Sequence, residues 1–519
     1  DPTGGDGPAS RGFRWDRLGA MPDPSAPASP ARSGFLPLLG RVFGTVRLGY
    51  LPVLVTYFCY GASAITGVAM LYFQKDALRI TPAEAAGIGF WLGLPWTMKM
   101  VVGVASDVYP ILGSRRKAYL VLGALCSFVG YVLLATVITT KGPYLAVMVM
   151  VTAGYMIQDV VADALSVEVA QSDEEMAQIQ TLGRMALLAG SISVGYLSGF
   201  LAGRLGSRPV FAIAAGLPVL VSVIALLAGR ERRRAAPAPL AVAVGVAPTE
   251  DDPLGGGKAR LIMSVGVSYA GLGVLLEYFD VPFAQELILA VSATLIVLLL
   301  NRVGLSRPVA VAAFVIFLFR ATPGVGQGYS YWAIDRLGFD PQFLGLLAQA
   351  SSVLSLVGLV LFRKPITKRP VSFTLLWVSI AGTVLYLPTI GLFYGANEWI
   401  GVSPRTFAFI DTTISAPLSQ LAMVPMLVLI ARTAPRGAEA TMFAIMASLM
   451  NLALSASELG TRYLNTYFAV TQQDYGNLGR LMIVVGVIGL LPLVAIPLLK
   501  REEVHLGPAR APAPGEAPA

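Results

Sequence analysis

Apolar runs recur along this chain from Leu51 to Leu499, each ended by short polar or Gly/Pro punctuation. A helix needs about 20 apolar residues to cross a bilayer, so each run predicts a membrane-spanning helix. The runs fall near 51–74, 83–105, 118–139, 143–167, 178–202 and 209–229, then 260–280, 283–303, 309–332, 342–362, 371–394, 405–431, 439–463 and 479–499. About fourteen spans with no strand pattern predict an all-α polytopic membrane protein.

Their grouping predicts the domains. A Pro/Gly/Ala/Ser-rich tail over 1–35 reads as disordered, and six spans over 48–229 follow it. A basic, Ala/Pro-rich linker (230–259) leads into an inserted pair of spans (260–305), and six more occupy 308–500 before a polar tail (501–519). An even-numbered insert preserves the orientation of the second half. Each half carries a basic loop after its second helix, at 113–117 and 363–369. Duplicated halves with the substrate site between them characterise secondary transporters, and this architecture points to the major facilitator fold.

Only 13% of residues are charged, against about 25% in soluble domains. The net charge of +8 does not indicate nucleic acid, because its distribution follows the positive-inside rule. With the N-terminus inside, inner loops hold Arg115, Arg116, Lys117, Arg230, Arg363, Lys364 and Arg432, whereas outer loops hold scattered Lys75, Lys141 and Arg405. Both termini are therefore expected in the cytoplasm, with the chain in the plasma (inner) membrane. The one histidine, His505, lies in a polar tail, and Cys59 and Cys126 lie inside apolar spans. No metal site, cofactor or disulfide is expected from that set. The absence of a phosphate-cradling loop or nucleophile–base constellation argues against a primary pump and against an enzyme.

The loop after the second span reads GVASDVYPILGSRRKAY (103–119). It is similar to the facilitator signature, stretched by three residues that include Pro110. Its physical reading is a cytoplasmic gate: Gly103 permits close helix contact, Asp107 pairs with a helix end or a basic neighbour, and Arg115 and Arg116 stay in water. With LPWTMK (94–99) it resembles the folate–biopterin transporter family. Three further segments carry the resemblance: QDVVADALSVE (158–168), FRATPGVGQGYSYWAIDRLGFDPQFLG (319–345) and PRGAEATMFAIMASLMN (435–451). The resemblance implies carriage of pterins, folates or related small organic solutes, often coupled to protons. Arg320 stands where the family pattern has an uncharged residue, and Tyr329, Tyr331 and Trp332 also depart from it.

Ionisable residues inside spans are functional candidates. At the helical rise, Lys99 and Arg184 lie roughly 10 and 9 Å from the inner ends of their spans, and Asp163 and Asp159 roughly 6 and 12 Å from theirs. These four form one layer with two readings. One is an ion-pair cluster that only holds helices together. The other is a proton site and gate, with the deeper Asp159 as carrier and Asp163 as structural partner of Arg184. Glu168 is expected to be solvated. Arg320 lies roughly 18 Å into its span, and contacts either a substrate anion or a carboxylate of the protein. Lys99, Arg320, Gln327 and Tyr331 are the candidate substrate-binding residues, the last two following Arg320 at helical spacing. Asp411 serves either coupling or an outer gate, or is an interfacial charge. Glu458 and Arg462, one turn apart, are expected to pair.

The function these residues point to is secondary active transport of a small organic solute by alternating access, with protons as the candidate coupling ion and the lipid bilayer as the surrounding partner. The alternative is a non-transporting scaffold or assembly factor on the same fold, suggested by the inserted pair and the long basic linker.

Overall fold

A computed structural model describes residues 47–227, 256–279, 281–367, 369–419, 421–434 and 439–506. The predicted tail over 1–35 lies outside them, as does the predicted linker (230–259) up to residue 255, its last four residues being helical. Among the described residues, twelve helices are each long and apolar enough to cross a membrane. The first six are α1 (Leu51–Ala77), α2 (Pro82–Val108), α3 (Lys117–Thr136), α4 (Lys141–Val169), α5 (Gln178–Leu205) and α6 (Ser207–Leu227). The inserted pair is α7 (Gly256–Tyr278) and α8 (Ala284–Val303). Then come α9 (Arg307–Arg320) and α10 (Gln327–Leu337), followed by α11 (Pro341–Phe362), α12 (Val371–Phe393), α13 (Pro404–Thr433), α14 (Met442–Tyr467) and α15 (Leu478–Glu502). We call the end bearing the 113–117 loop the basic face and the opposite end the far face.

Two expected spans are not among the twelve. One is α7, which at 23 residues is nevertheless about 34 Å long at the helical rise. The other, expected as continuous over 309–332, is broken into α9 and α10 at residues 321–326. Pro323 cannot donate a backbone hydrogen bond, and Gly326 adopts a φ of +64°, open to glycine at little cost. Backbone groups freed within the membrane need partners, and α14 provides them. Ser457 Oγ donates to the Thr322 carbonyl at 2.7 Å, Thr461 Oγ1 accepts the Gly324 N–H at 2.9 Å, and Asn465 Nδ2 donates to the Val325 carbonyl at 3.1 Å. The last helix continues to Leu506, past residue 501 where a tail was expected, and Glu502 there pairs with Arg307 at 2.7 Å.

Span starts follow local chemistry. Thr81 Oγ1 accepts the Glu84 N–H while the Glu84 carboxylate accepts the Thr81 N–H, with Pro82 at the first helical position, a reciprocal N-terminal stop. Helices then pack through small residues, as in-membrane association requires. A Cβ on Gly61 of α1 would stand 1.9 Å from the Leu187 carbonyl oxygen of α5, so the two backbones touch there.

The first six helices and the later ones meet along two crossings. Between α5 and α11, a Cβ on Gly199 would stand 2.0 Å from the Pro341 carbonyl oxygen, and the Tyr196 N–H donates to Gln349 Oε1 at 3.0 Å. Between α2 and α14, Gly93 faces Ser455 and Gly89 faces Glu458. The inserted pair packs against this second crossing. Gln285 Nε2 of α8 donates to the Gly87 carbonyl of α2 at 3.1 Å, Glu286 accepts from Tyr463 of α14, and Gly266 of α7 abuts Val101 of α2.

Candidate functional site

Pro95 interrupts α2 at Thr97–Met98, and Lys99 opens the segment beyond that kink. There Lys99 forms an ion pair with Asp159 of α4. The lysine is 34% exposed and the aspartate 11%, so the lysine is the more accessible partner. Lys99 Nζ also stands 5.0 Å from the Trp96 ring centroid, within cation–π range. From Trp96 a series of rings crosses three more helices. Tyr60 of α1 stacks on it at 5.7 Å, Tyr155 of α4 follows at 5.5 Å, and the Tyr155 and Tyr131 hydroxyls meet at 3.1 Å. The result is a ladder of stacked rings with an ion pair at its Trp96 end.

Asp163, one turn from Asp159, is bonded by the Tyr57 hydroxyl of α1. The expected Asp163–Arg184 pair is not formed among the described residues. A Cβ on Gly183 would meet the Tyr57 ring at 2.8 Å, so that ring lies over α5 and its hydroxyl reaches Asp163 first. Arg184 is left exposed.

At the basic face the arginines divide. Leu112 and Gly113 take φ values of +50° and +76°, and the Ile111 and Ser114 backbones exchange hydrogen bonds at 3.0 and 2.9 Å. This tight turn absorbs the three extra residues of the loop and points Arg116 inward. Arg116, expected in water, is 4% exposed and binds three groups: Asp107 at 2.5 Å, Glu168 at 2.7 Å and Ser106 Oγ at 2.7 Å. Glu168, expected to be solvated, is thus an ion-pair partner that ties α4 to the end of α2. Burial alone would lower the Arg116 guanidinium, but the flanking Asp107 and Glu168 carboxylates outweigh it and hold it above its ordinary range. Arg115 is exposed as expected, and Gly103 is buried, its carbonyl accepting from Ser106.

In the second half, Arg320 ends α9 and donates to the Met450 carbonyl of α14 at 3.2 Å, with Met423 Sδ at 3.6 Å. It has no carboxylate partner among the described residues. Asn451, next to Met450, donates to the Trp96 carbonyl at 3.4 Å. Lys99 with Trp96 and Arg320 with Met450 therefore flank the same α2–α14 crossing. Gln327 is half-buried at the start of α10. Tyr331 does not line a cavity with it: at 0% exposure it belongs to the apolar core with Trp332, Val470 and Leu478. Asp411 is half-buried and accepts from Thr389 of α12 at 2.8 Å. The expected Glu458–Arg462 pair is also absent among the described residues. Glu458 lies over Gly89 and Arg462 over Gly87, on different sides of α2.

At the far face a closure appears that sequence reasoning missed. Lys75 of α1, 9% exposed, pairs with Asp335 of α10 at 2.6 Å. The Tyr475 hydroxyl donates to the same carboxylate at 2.6 Å, Tyr72 donates to the Phe339 carbonyl at 3.0 Å, and Gln472 to that of Ile80 at 2.9 Å. Burial first, and then the Asp335 carboxylate, push the Tyr475 hydroxyl up, so it stays a neutral donor. Nothing in the local pattern marks Lys75 and Asp335 as partners.

The family model of the BT1 family matches residues 61–506. The chain belongs to the BT1 family. A folate-biopterin transporter of Synechocystis is 30% identical to this BT1-family chain, covering 86% of it and 81% of the relative. Folate transporter 2 of Plasmodium falciparum is 22% identical, covering 85% and 86%. Among solved structures, a POT family transporter in complex with a thioalcohol-conjugated peptide aligns with a TM-score of 0.66 at 14% identity, covering 88% of this chain and 96% of that one. A point mutant of the nucleoside transporter NupG aligns at 0.59 and 10% identity, covering 87% and 99%. At such identity these structures establish a shared fold. The chain is an integral membrane protein of the facilitator type.

Proposed function

We propose that this BT1-family protein is a secondary transporter that moves a pterin- or folate-like anion by alternating access. The observation that carries this reading is the part-exposed Lys99–Asp159 ion pair at the end of the Trp96–Tyr60–Tyr155 ladder, with an Arg320 that has no carboxylate partner among the described residues beside the same α2–α14 crossing. A flat heteroaromatic ring packs against the edges of such a ladder, an arrangement aromatic pairs favour. Its carboxylate is met by the Arg320 guanidinium, whose planar fork suits that anion, and it competes with Asp159 for Lys99. Asp159, released from Lys99, is the proton acceptor of this reading. In this reading substrate and proton arrive together.

The domain reading is two six-helix halves, 48–229 and 308–500, that rock about the central site, with the inserted pair (260–305) riding on the α2–α14 crossing. The described ties between the halves lie from the Asn451–Trp96 contact outward to Lys75–Asp335, which supports a state open toward the basic face. We read that face as the cytoplasmic one from its Lys/Arg content, with both termini in the cytoplasm, and take the plasma (inner) membrane as the location. The Asp107–Arg116–Glu168 group acts as the gate support on that side.

The test is thermal stability of the purified protein with folic acid, biopterin, nucleosides and simple organic anions. Folic acid or biopterin is expected to raise the midpoint in the wild type and not in Arg320→Ala. A panel without any stabilising pterin or folate contradicts the reading and favours a scaffold.

A further inference from the structure

Glu458 is a carboxylate inside the membrane span that the substrate site does not use. It sits on α14 roughly 13 Å from the end of that helix at Tyr467, by the helical rise, and its side chain lies flat over Gly89 of α2. A Cβ on Gly89 would come within 2.9 Å of both its carboxyl carbon and an oxygen. It is half-buried, with no hydrogen bond or ion pair to the described residues.

The charged groups around it are committed elsewhere or turned away. On its own helix Arg462 lies along Gly87, and on α8 Glu286 is bonded by Tyr463. On α2 and α4, Glu84 pairs with Lys141 at the far face and Lys99 with Asp159 at the kink. Across the seam, Arg320 is bonded to the Met450 carbonyl. One turn before Glu458, Ser455 presses on Gly93 with a buried hydroxyl that has no partner among the described residues. A half-buried carboxylate in a membrane span without a counter-charge favours its neutral form. The α2–α14 seam is also where the halves meet, so opening the far face uncovers this carboxylate to water.

We propose that Glu458 carries a second coupling proton, in addition to the one on Asp159. It takes the proton from far-face water when the seam is open and closes over Gly89 as the neutral acid; the closed seam seen here is the state before that proton leaves to the basic-face cavity. This rests on the transport reading, and it adds a proton site on the half opposite Asp159.

The experiment uses the purified full chain in two arms. The first follows the infrared carbonyl band of protonated carboxyl groups between neutral and alkaline pH, with no substrate present. Glu458→Gln is expected to remove a component that Asp411→Asn leaves, and a spectrum unchanged by Glu458→Gln overturns the proposal. The second uses proteoliposomes with radiolabelled folic acid and a gradient of one pH unit, which concentrates a solute about tenfold per coupled proton. Glu458→Gln is expected to lower accumulation by about tenfold for the lost proton, and Glu458→Asp to restore it. Equal accumulation in Glu458→Gln and wild type overturns the proposal. If wild-type vesicles take up no folic acid, the transport reading fails, and the infrared arm alone decides whether Glu458 holds a proton.

Discussion

Lys75 at the end of α1 and Asp335 on α10 form a 2.6 Å ion pair across the two halves, with the lysine 9% exposed. The pair has to part whenever the far face opens. Breaking a largely buried pair by removing one partner costs about 3–5 kcal/mol; Asp335 is 31% exposed, so solvent screening pulls the cost toward the lower end.

The first prediction concerns this latch. Lys75→Ala is expected to favour far-face opening, read as faster maleimide labelling of a cysteine placed at Gln349 on the α5–α11 crossing. The exchanged pair Lys75→Asp with Asp335→Lys should return labelling toward the wild-type rate. Unchanged labelling in Lys75→Ala would mean that the pair does not hold the closure.

Arg116 gives the second prediction. Its guanidinium spans Asp107, Glu168 and Ser106 at once, a geometry that an ammonium cannot reproduce. Both Arg116→Ala and Arg116→Lys should lower the melting midpoint, the alanine variant by the equivalent of about 3–5 kcal/mol. The exposed Arg115→Ala should cost far less. Equal midpoints for the two alanine variants would contradict the inward placement of Arg116.

The broken α9–α10 helix depends on side chains from α14. Thr461→Val keeps the shape of the residue and removes the oxygen that accepts the Gly324 N–H, leaving a half-buried donor unpaired. The expected loss is about 1–3 kcal/mol, measured by thermal unfolding in detergent. A neutral Thr461→Val would show that water, rather than α14, satisfies the break.

A pH-dependent contribution is expected at Glu175, near the basic face. The Tyr50 hydroxyl and the Gln171 N–H, with Arg47 nearby, hold this carboxyl below the ordinary carboxylate range. A depressed group contributes stability above its unfolded pKa and loses it as pH falls through the folded one. The midpoint difference between wild type and Glu175→Gln should therefore be present at neutral pH and vanish under acid. A difference that grows toward low pH would reverse the sign of the argument.

How much of this could be read from residues alone depends on the range of each signal. Span positions and the two-half grouping were legible because hydropathy reports one helix at a time. That Lys99 and Asp159 lie at similar depth was legible because depth along a helix ranks charges without any knowledge of packing. Partner choice was not: Asp163 takes Tyr57 instead of Arg184 because a ring packs over Gly183, a contact between helices that no spacing encodes. Arg116 turns inward through positive φ angles at Leu112 and Gly113, and the leucine gives no sign of that conformation. The α9–α10 break was visible as Pro323, Gly324 and Gly326, but the apolar residues on both sides hid it in a continuous span. Lys75 and Asp335 meet only because the halves close upon each other.

The central claim is that Lys99 and Arg320 together receive a substrate anion between the halves. Its most direct test is counterflow of radiolabelled folic acid or biopterin into proteoliposomes preloaded with the same compound, without any ion gradient. Wild-type protein is expected to give saturable exchange. Arg320→Ala should weaken its apparent affinity by about ten- to a hundredfold, as loss of a charged hydrogen bond implies, and Lys99→Ala should weaken it in the same direction. Absence of saturable exchange in the wild type, or full affinity in both variants, would contradict the account.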